Sequence, residues 1–269
     1  MIKTFNNIIN KNWIEWFIGF CDADGNFQVF PKKRSYVKKS GISSDYFNIG
    51  YGFHVSLNFK DFPLLQKAQV NLSNIGHIYE YPLRDEARFS VTKLIELNYL
   101  IENVLDVCPL ISEHQIKRFA IFKYGILNKV NRVETMEDYK KILYSKYNTS
   151  PILDNYYTEG TAFDNWILGF INGEGCFHFS KRGHLVFYIE HTDKNCLMLI
   201  KKRLDLSPNI LDRGNRKGTR QNTYSLFISS QKDLINLIKL IENPLLNGLE
   251  GYKLIQYNNW IQNKPSLQN

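Results

Sequence analysis

The sequence has few of the features of a secreted, disulfide-bonded or membrane protein. Its four cysteines show neither C-x-x-C spacing nor a zinc-ligand pattern; they are Cys21, Cys108, Cys176 and Cys196. No apolar run reaches the ~18 residues that a membrane span needs. The N-terminus lacks the hydrophobic region of a signal peptide. We therefore expect a protein of a reducing compartment that has no membrane partner.

The motifs of several common hydrolase classes are missing as well. The sequence contains no G-x-S-x-G nucleophile elbow, no H-E-x-x-H zinc motif and no P-loop. These absences argue against a small-molecule hydrolase.

Basic residues outnumber acidic ones. The chain has 34 Lys and Arg against 26 Asp and Glu, a net charge of +8, and its hydrophobic share of 43% is enough to bury a core. A basic surface fits a nucleic acid or an anionic membrane, although a basic protein without a polyanionic partner has the same composition. Asn, Lys, Ile, Tyr and Phe, the residues of AT-rich codons, are abundant. This bias is typical of organelle genes and of AT-rich bacterial genes.

A twelve-residue segment occurs twice. Residues 16–27 read WFIGFCDADGNF and residues 166–177 read WILGFINGEGCF. Asp24 and Glu174 therefore occupy equivalent positions, 150 residues apart (174 minus 24). This match is the first indication that the chain contains an internal repeat.

A second pair of similar segments follows downstream. Phe89-Ser-Val and Tyr224-Ser-Leu each open a strand-then-helix stretch, 135 residues apart (224 minus 89). Pro109-Leu and Pro244-Leu end the two stretches at the same offset. The chain is therefore two copies of one unit, with the second copy shorter by about fifteen residues (150 minus 135).

Each copy has the coarse order helix, two strands, helix, two strands and then helices, which predicts an α+β fold. In the first copy we expect helices near 13–24, 61–72, 93–105 and 112–128, and strands near 26–38, 46–58, 75–82 and 86–92. Asp61 is expected to cap its helix, with Pro63 in the first turn. We assign residues 1–130 to an N-terminal unit, 131–162 to a linker and 163–269 to a C-terminal unit.

The predicted strand at 46–58 alternates without interruption. Its odd positions, from Phe47 to Leu57, are apolar or aromatic, whereas its even positions are mostly small or hydrogen-bonding. Such alternation places one face of a sheet on helices and leaves the other face open. The open face lacks the Glu and Lys mixture of an ordinary solvated surface, so we interpret it as a binding face.

Glycines lie in the middle and at the end of both repeated helices. Gly19 and Gly169 each cost about 1 kcal/mol relative to alanine, which is tolerable where two backbones approach closely. We therefore expect the two helices to pack against each other. Gly25 and Gly175 are expected to end these helices in a left-handed cap.

This packing would bring Asp24 and Glu174 together at two helix C-termini. The two carboxylates repel each other there, and the helix dipoles add partial negative charge, so a divalent metal bound by carboxylate oxygens is the natural partner. Paired metal sites suit in-line phosphodiester hydrolysis. Alternatively, Asp24 and Glu174 are simply solvated residues at the ends of helices. The occurrence of an acidic residue at the equivalent position of both repeats argues against this interpretation.

The repeated motifs resemble a known family. Residues 17–25 (FIGFCDADG) and 167–175 (ILGFINGEG) resemble the two signature motifs of the double-motif LAGLIDADG homing endonucleases, and the resemblance covers about 13–262. It implies two pseudo-symmetric αββαββα units, whose saddle-shaped antiparallel sheets straddle double-stranded DNA at a long, mostly asymmetric site. It also implies that Asp24 and Glu174 are the catalytic metal ligands, with Mg²⁺ as the expected ion and Mn²⁺ as a substitute.

The sequence departs from the family pattern at two places. Asn172 replaces the first acidic residue of the motif, a position that is not the usual metal ligand, so we expect activity to survive. Many relatives carry a helper lysine after the Pro-Leu element. The nearest equivalents here are His114 and either Leu249 or Glu250. That helper is therefore expected to be missing or displaced, although Lys117 and Lys253 lie close by.

The open sheet faces supply the candidates for contacts with base edges in the major groove. In the first unit they are Asn26, Gln28, Lys32, Arg34, Asn48, His54, Ser56, Arg84, Arg88 and Ser90. In the second unit they are His178, Ser180, Arg182, Tyr188, Glu190, Arg213, Thr223 and Ser225. Two basic clusters, Lys32–Lys39 and Arg213–Arg220, are better suited to phosphates. For each single residue, the alternative interpretation is that it belongs to a solvated turn and makes no contact with DNA.

These observations predict a monomeric, site-specific, double-strand DNA endonuclease of the mitochondrion, with the chloroplast as the alternative. The main alternative function is an RNA maturase that assists splicing of a group I intron, with or without nuclease activity, because a basic surface also serves RNA. Intact acidic residues in both motifs favour cleavage. A transcription regulator on the same fold usually has an appended helix-turn-helix, for which we find no spare segment.

Overall fold

The first repeat has the predicted order of elements. The computed structural model describes residues 9–37, 43–144, 159–214 and 222–263. The first repeat consists of α1 (Lys11–Asp24), β1 (Gly25–Val37), β2 (Ser43–Asn58), α2 (Phe62–Asn71), β3 (His77–Tyr81), β4 (Glu86–Val91), α3 (Leu94–Leu100) and α4 (Glu113–Leu127). A π-helical segment, Ile101–Leu105, continues α3, so the predicted helix near 93–105 changes its hydrogen-bond pattern partway along.

The second repeat has the same order in shorter form. Between the repeats lie β5 (Arg132–Val133) and α5 (Met136–Tyr139), which a π-helical segment continues to Tyr144. The second repeat consists of α6 (Gly160–Glu174), β6 (Gly175–Phe179), β7 (Leu185–His191), α7 (Lys194–Arg203), β8 (Leu211–Gly214), β9 (Thr223–Ile228), α8 (Gln231–Ile241) and α9 (Gly251–Gln262). Among the described residues, no helix has the length and apolar character required to cross a membrane.

Each repeat forms an antiparallel sheet with equivalent topology. The strand order is β1-β2-β4-β3 in the first sheet and β6-β7-β9-β8 in the second. Gly25 pairs with Val55 and Gly175 pairs with Ile189, so both sheets begin at the residue that follows the motif carboxylate. The predicted α+β fold of two pseudo-symmetric units is thereby confirmed, and the topology places the two motif ends at the inner ends of the sheets.

The alternation of β2 divides the first sheet into a buried and an open face. Phe53 and Val55 are 0% and 1% exposed and belong to the core. Asn48 and His54, on the other face, are only partly buried. The helices cover the apolar face because burying these aromatic and aliphatic side chains removes large apolar areas from water. The polar face is left for another partner.

Helices α1 and α6 pack against each other through their glycines. A Cβ atom added at Gly19 would overlap the carbonyl oxygen of Trp166, and one added at Gly169 would overlap that of Trp16. The helices are therefore in backbone-to-backbone contact at these points, which requires residues without a side chain. This contact forms the seam between the two repeats.

The prediction of left-handed caps at the ends of these helices is wrong. Gly25 has φ −69° and ψ 144°, and Gly175 has φ −69° and ψ 143°, both extended. The chain enters the first strand directly, without the reversal that a left-handed residue would make. Glycine is needed instead for space, because a Cβ at Gly25 would lie 2.5 Å from the Cys21 carbonyl oxygen and one at Gly175 would lie 2.6 Å from that of Ile171.

The predicted capping role of Asp61 is also wrong. Its side chain makes no capping hydrogen bond to α2, an element that is described in full. Its Oδ1 atom instead accepts the backbone N–H of Tyr252, at the start of α9 in the second repeat, at 2.8 Å. Asp193 makes the equivalent contact in the other direction, because its Oδ2 accepts the N–H of Glu113 at the start of α4 at 2.7 Å. The acidic side chains stabilise helix N-termini across the seam.

The segment that follows α4 packs on the first sheet. Strand β5 pairs with β2, and the carbonyl oxygen of Asn131 accepts the N–H of Ile49 at 2.9 Å. Tyr139 is 5% exposed, and its hydroxyl donates to the carbonyl oxygen of Val29 at 3.0 Å. Residues 131–144, assigned above to the linker, therefore extend the sheet and the core of the N-terminal unit.

Candidate active site

The two motif carboxylates meet at the seam. Asp24 is the last residue of α1 and Glu174 is the last residue of α6. The Asp24 side chain lies against the end of α6, because a Cβ atom added at Gly173 would lie 2.7 Å from Asp24 Oδ2. Gly173 therefore leaves the space that the Asp24 carboxylate occupies. The structure brings together the two residues that the repeated motif singled out.

Both carboxyls lie in an environment that disfavours their charge. The pKa of Glu174 is raised to about 8, mainly by burial and then by the nearby Asp24 carboxylate, against an opposing effect of Lys253. Burial likewise raises the pKa of Asp24 to about 6, although the charge of Lys253 lowers it. A second cation at this place would stabilise both ionised forms, because each buried carboxylate lacks the solvation that water would supply.

Lys253 and Gln115 hold equivalent positions beside the carboxylates. Lys253 Nζ donates to the carbonyl oxygen of Gly175, and Gln115 Nε2 donates to that of Gly25 at 2.6 Å. Gln115 Nε2 also donates to the carbonyl oxygen of Cys21 at 3.0 Å. Burial lowers the pKa of Lys253, while the negative groups around it oppose that shift.

A lysine thus lies beside the carboxylates, displaced from the positions expected from the Pro-Leu element; whether it acts as the helper lysine stays a prediction. The sequence analysis used an offset of 135 residues between the repeats, which aligns His114 with Leu249 or its neighbour Glu250. In the structure the equivalent residues, Gln115 and Lys253, are 138 apart (253 minus 115). Three additional residues between Pro244 and α9 account for the difference. Only hydrogen bonds to equivalent carbonyl groups reveal the correct alignment.

Asp22 and Asn172, the first polar position of each motif, have a structural role. Asp22 accepts the N–H groups of Ile111 and Ser112 at 2.8 and 3.1 Å and the indole N–H of Trp166 at 2.8 Å. Asn172 Oδ1 accepts the N–H of Glu250 at 2.8 Å. Both side chains fix the chain that leads into α4 or α9, which explains how an amide can replace the acid. Burial raises the pKa of Asp22 to about 7.

A cavity of about 520 Å³ opens beside the carboxylates. It is lined by Asp24, Glu174 and Glu190, and by Arg118 and Thr223 on other elements. Arg118 and Lys253 thus provide positive charge close to the acidic pair, and Arg118 is a functional candidate that the sequence did not indicate. Its position on α4, one helical turn after His114, could be related to the site only once the packing of α4 was known.

The residues at the seam fit a hard divalent cation. Among the described residues there is no cluster of three or more His, Cys, Asp or Glu arranged as a metal site. Two carboxylates are nevertheless the donor set that Mg²⁺ uses when waters and substrate phosphates complete its octahedron. The raised pKa values of Asp24 and Glu174 show negative charge that the protein itself does not fully compensate.

The candidates of the first unit lie along the open face. Asn26 pairs with His54 and Lys32 pairs with Asn48, which forms rows across the sheet. The other candidates of these strands, Gln28, Arg34 and Ser56, have even numbers and lie on the same face. The His54 ring lies back over Gly52, and its pKa is lowered by burial and by Arg88.

The arginines of the third and fourth strands differ in setting. Arg88 on β4 donates to Ser56 Oγ at 2.8 Å and pairs with Glu86 at 2.9 Å. Arg84 lies in the turn between β3 and β4, with its guanidinium 5.7 Å from the centre of the Tyr81 ring. Ser90 is only 7% exposed, so it is poorly accessible for a contact with DNA.

The candidates of the second unit form a polar network on the second sheet. Arg213 on β8 donates to Ser225 Oγ at 2.7 Å and lies 6.0 Å from the centre of the Tyr188 ring. The Tyr188 hydroxyl is hydrogen-bonded to Glu190. His178 lies on β6, Ser180 and Arg182 lie in the turn after it, and Thr223 opens β9 and lines the cavity beside the carboxylates.

The two basic clusters are only partly described. Lys33 forms an ion pair with Asp45 at 2.7 Å on the face opposite to Lys32 and Arg34, so the first cluster is divided between two faces. Lys38 and Lys39 lie outside the described residues, as do residues 215–220 of the second cluster.

The fold and the site together define a class of protein: one chain of two equivalent α+β units with a carboxylate from each at their common seam. Comparison with known proteins points in the same direction as the motifs. A family model described as LAGLIDADG endonuclease matches residues 17–125, which include the first motif. This match supports the predicted resemblance to the LAGLIDADG family.

Relatives at the level of sequence are distant. The chain is 23% identical over 264 residues to "Probable intron-encoded endonuclease Cox1-I1b" of Schizosaccharomyces pombe, which covers 93% of this chain and 63% of that protein. It is 25% identical over 207 residues to "Uncharacterized mitochondrial protein RF1" of Saccharomyces cerevisiae, covering 73% and 39%. It is 26% identical over 211 residues to "Probable intron-encoded endonuclease 2" of Neurospora crassa, covering 67% and 45%. The chain thus spans less than two thirds of each of these relatives.

Solved structures confirm the fold over nearly the whole chain. The I-LtrWI LAGLIDADG homing endonuclease, solved bound to target DNA, matches with a TM-score of 0.66 and 23% identity, covering 94% of this chain and 90% of that one. The meganuclease I-SmaMI, also solved bound to DNA, matches with a TM-score of 0.69 and 20% identity over the same shares. The predicted LAGLIDADG fold is therefore confirmed.

Proposed function

We propose that the protein is a homing endonuclease that cuts both strands of DNA at one long site. The meeting of Asp24 and Glu174 at the α1–α6 seam is the observation that carries this proposal. One chain supplies both carboxylates, so a monomer completes the site. The match to the LAGLIDADG endonuclease model and the similarity to the DNA-bound I-LtrWI and I-SmaMI support the same function.

Asp24 and Glu174 would hold Mg²⁺, with Mn²⁺ as a substitute. The bound metal would supply Lewis-acid chemistry, namely an activated water and stabilisation of the leaving oxygen. Lys253, held by the Gly175 carbonyl group, and Arg118, in the cavity wall, would bind the phosphate oxygens and offset the charge that develops there. Gln115 takes the place of Lys253 in the first half but brings no charge.

The open sheet faces would bind the DNA on either side of this centre. Their side chains differ between the units: Asn26 and Gln28 follow the first motif, whereas Cys176 and His178 follow the second. A protein with two different faces reads two different half-sites, so the target would be mostly asymmetric. The intron-encoded and mitochondrial names of the relatives fit an organelle, and we propose the mitochondrion.

The first experiment tests cleavage and both carboxylates together. Purified protein is incubated with a randomised duplex library and Mg²⁺, and the cut ends are sequenced, with Asp24→Asn and Glu174→Gln in parallel. We expect discrete double-strand cuts at one long site, which either substitution abolishes while DNA binding persists. Asp205→Asn, at an aspartate whose side chain is 82% exposed, is the matched control and should cut normally.

A second readout does not depend on activity. Ca²⁺ should raise the unfolding temperature of the wild type by binding to the folded state, but it should have no such effect on the Asp24→Asn/Glu174→Gln double variant. Sequence-specific binding without any cutting would contradict the nuclease proposal and would make splicing of a group I intron RNA the next assay.

A further inference from the structure

Strand β5 places an arginine on the open face of the first sheet. Arg132 pairs with Asn48, and Val133 pairs with Phe47. Val133 is 4% exposed and belongs to the core. Because successive side chains of a strand point to opposite faces, Arg132 lies on the open face beside Asn48.

The Arg132 guanidinium is held in place mainly by Tyr46 and Glu134, and the centre of the Tyr36 ring lies 5.9 Å away. The guanidinium centre lies 3.9 Å from the centre of the Tyr46 ring, within the range of a cation–π contact. Its Nε and Nη2 atoms lie 3.0 and 2.9 Å from Glu134 Oε1. A guanidinium has five N–H donors, so this arrangement fixes the group and leaves several donors for another acceptor. The side chain is 47% exposed.

Lys32, Asn48 and Arg132 form one row across three strands. Lys32 on β1 pairs with Asn48 on β2, which pairs with Arg132 on β5. Two strand spacings amount to about 9.6 Å, close to the ~12 Å width of the major groove. On a duplex whose major groove follows these strands, the amide would lie over the floor of the groove, where bases are read, and one cation would lie near each wall, where the phosphates are.

We infer that Arg132 binds a phosphate of the DNA backbone, and that β5 is a further strand of the DNA interface. This inference rests on the proposed function, since it assigns a contact within the same DNA complex. The contact lies away from the cleavage centre, towards the outer part of the half-site that the first sheet covers. Tyr46 and Glu134 act as positioning residues, because they hold the guanidinium before DNA arrives.

The test compares Arg132→Gln with the wild type on a duplex selected by the wild-type protein. We measure the slope of the logarithm of the association constant against the logarithm of the salt concentration. Loss of one phosphate contact should make this slope less negative by about 0.9 and should weaken binding at ~0.1 M salt roughly eightfold. Arg132→Lys keeps the charge but loses the planar fork, so it should retain most of the slope. Lys232→Gln, at an exposed lysine on α8, removes the same charge elsewhere and should leave the slope unchanged.

Ethylation interference identifies the phosphate directly. In the wild type, ethylating one particular phosphate of the outer half-site should weaken binding. In Arg132→Gln, the same modification should have no further effect, which a purely structural role of Arg132 could not produce. Circular dichroism checks that each variant folds, and Tyr46→Leu, which keeps the arginine but removes its support, should show a smaller loss.

The outcomes separate the two proposals. A wild type that binds no duplex with preference fails the proposed function itself. A wild type that binds while Arg132→Gln keeps the same slope, affinity and interference pattern overturns the assignment of Arg132 and leaves the proposed function standing.

Discussion

The tryptophans of the two motifs show how a single substitution changes a buried contact. The indole N–H of Trp166 donates to Asp22, whereas the indole N–H of Trp16 has no partner among the described residues. The reason is chemical: Asn172, the equivalent of Asp22, uses its one oxygen for the N–H of Glu250. Its remaining polar group is a donor and cannot accept.

We predict that Trp166→Phe destabilises the protein more than Trp16→Phe. Both variants lose similar packing, because both indoles are almost fully buried. Only Trp166→Phe also removes a hydrogen bond to a buried carboxyl group, which is worth about 1.5–3 kcal/mol when the acceptor is charged. Urea unfolding of both variants gives the two free energies, and equal losses would contradict this account of the asymmetry.

Some residues of the candidate site could be predicted from the sequence, and others could not. Asp24 and Glu174 were identifiable because the motif that ends in them occurs twice. Lys253 was identified only as a neighbour of the expected position and Gln115 not at all, because an insertion before α9 shifts the repeat offset from 135 to 138 and misaligns the helices that carry them. Arg132 was assigned to a linker because a two-residue strand is too short to leave a periodic pattern.

The packing of α1 on α6 depends on glycines that meet backbone atoms. We predict that Gly19→Ala and Gly169→Ala each destabilise the protein by at least ~3 kcal/mol, because the helices must separate to admit a methyl group. Gly125→Ala in α4 is the matched control. Its methyl group would require the buried Tyr51 side chain to shift, but the three nearest atoms include no backbone atom, and alanine is favoured over glycine within a helix by about 1 kcal/mol, so we expect a smaller loss.

Thermal and urea unfolding measure all three glycine variants. Loss of activity should follow loss of stability at Gly19 and Gly169, because the same contact positions the two carboxylates. If Gly125→Ala proved as harmful as Gly19→Ala, the glycines of the seam would have no special role.

At the scale of elements, the periodicity of apolar residues and the positions of glycine and proline identified the helices and strands. The interactions at the helix ends depended instead on tertiary contacts. The strict alternation of β2 predicted its buried and open faces. Gly25 and Asp61 were misinterpreted for related reasons, because each matched a local capping rule. Glycine is required at position 25 because the Cys21 carbonyl oxygen lies where a Cβ atom would be. Asp61 caps a helix of the other repeat. A local rule cannot anticipate a partner about 190 residues away (252 minus 61).

The two repeats form one molecule because each stabilises a helix of the other. Asp61 accepts the N–H of Tyr252, and Asp193 accepts the N–H of Glu113. Asp193 also accepts the N–H of Asn195 at 2.8 Å and so caps its own helix α7. We predict that Asp61→Ala costs ~1 kcal/mol and Asp193→Ala about twice as much, because it removes two caps.

Unfolding of these aspartate variants should remain a single transition. Circular dichroism and tryptophan fluorescence should give coincident curves, since the α1–α6 contact leaves neither unit with an independent core. Two separate transitions in Asp193→Ala would show instead that the seam is weak enough for the units to unfold one at a time.

The two carboxyl groups at the seam also make the stability of the whole molecule depend on pH. The pKa of Glu174 is raised from an ordinary value of 4.5 to about 8, and that of Asp24 from 3.8 to about 6, in both cases mainly by burial. A carboxyl whose folded pKa is raised binds its proton more tightly in the folded state than in the unfolded state. Its contribution to stability is therefore complete below the unfolded pKa and is lost as the pH rises through the folded pKa.

We predict that, in the presence of a chelator, the free energy of unfolding falls by several kcal/mol as the pH rises from about 4 to about 8. Glu174→Gln should reduce this slope, because glutamine carries no charge at any pH, and the part that remains should come from Asp24 and Asp22, whose pKa values are raised as well. Ca²⁺ should flatten the slope for the wild type alone, since a cation between the ionised carboxylates replaces the missing solvation. Urea unfolding across this pH range checks both effects, and a slope that Glu174→Gln leaves intact would mean that the pH dependence arises elsewhere in the chain.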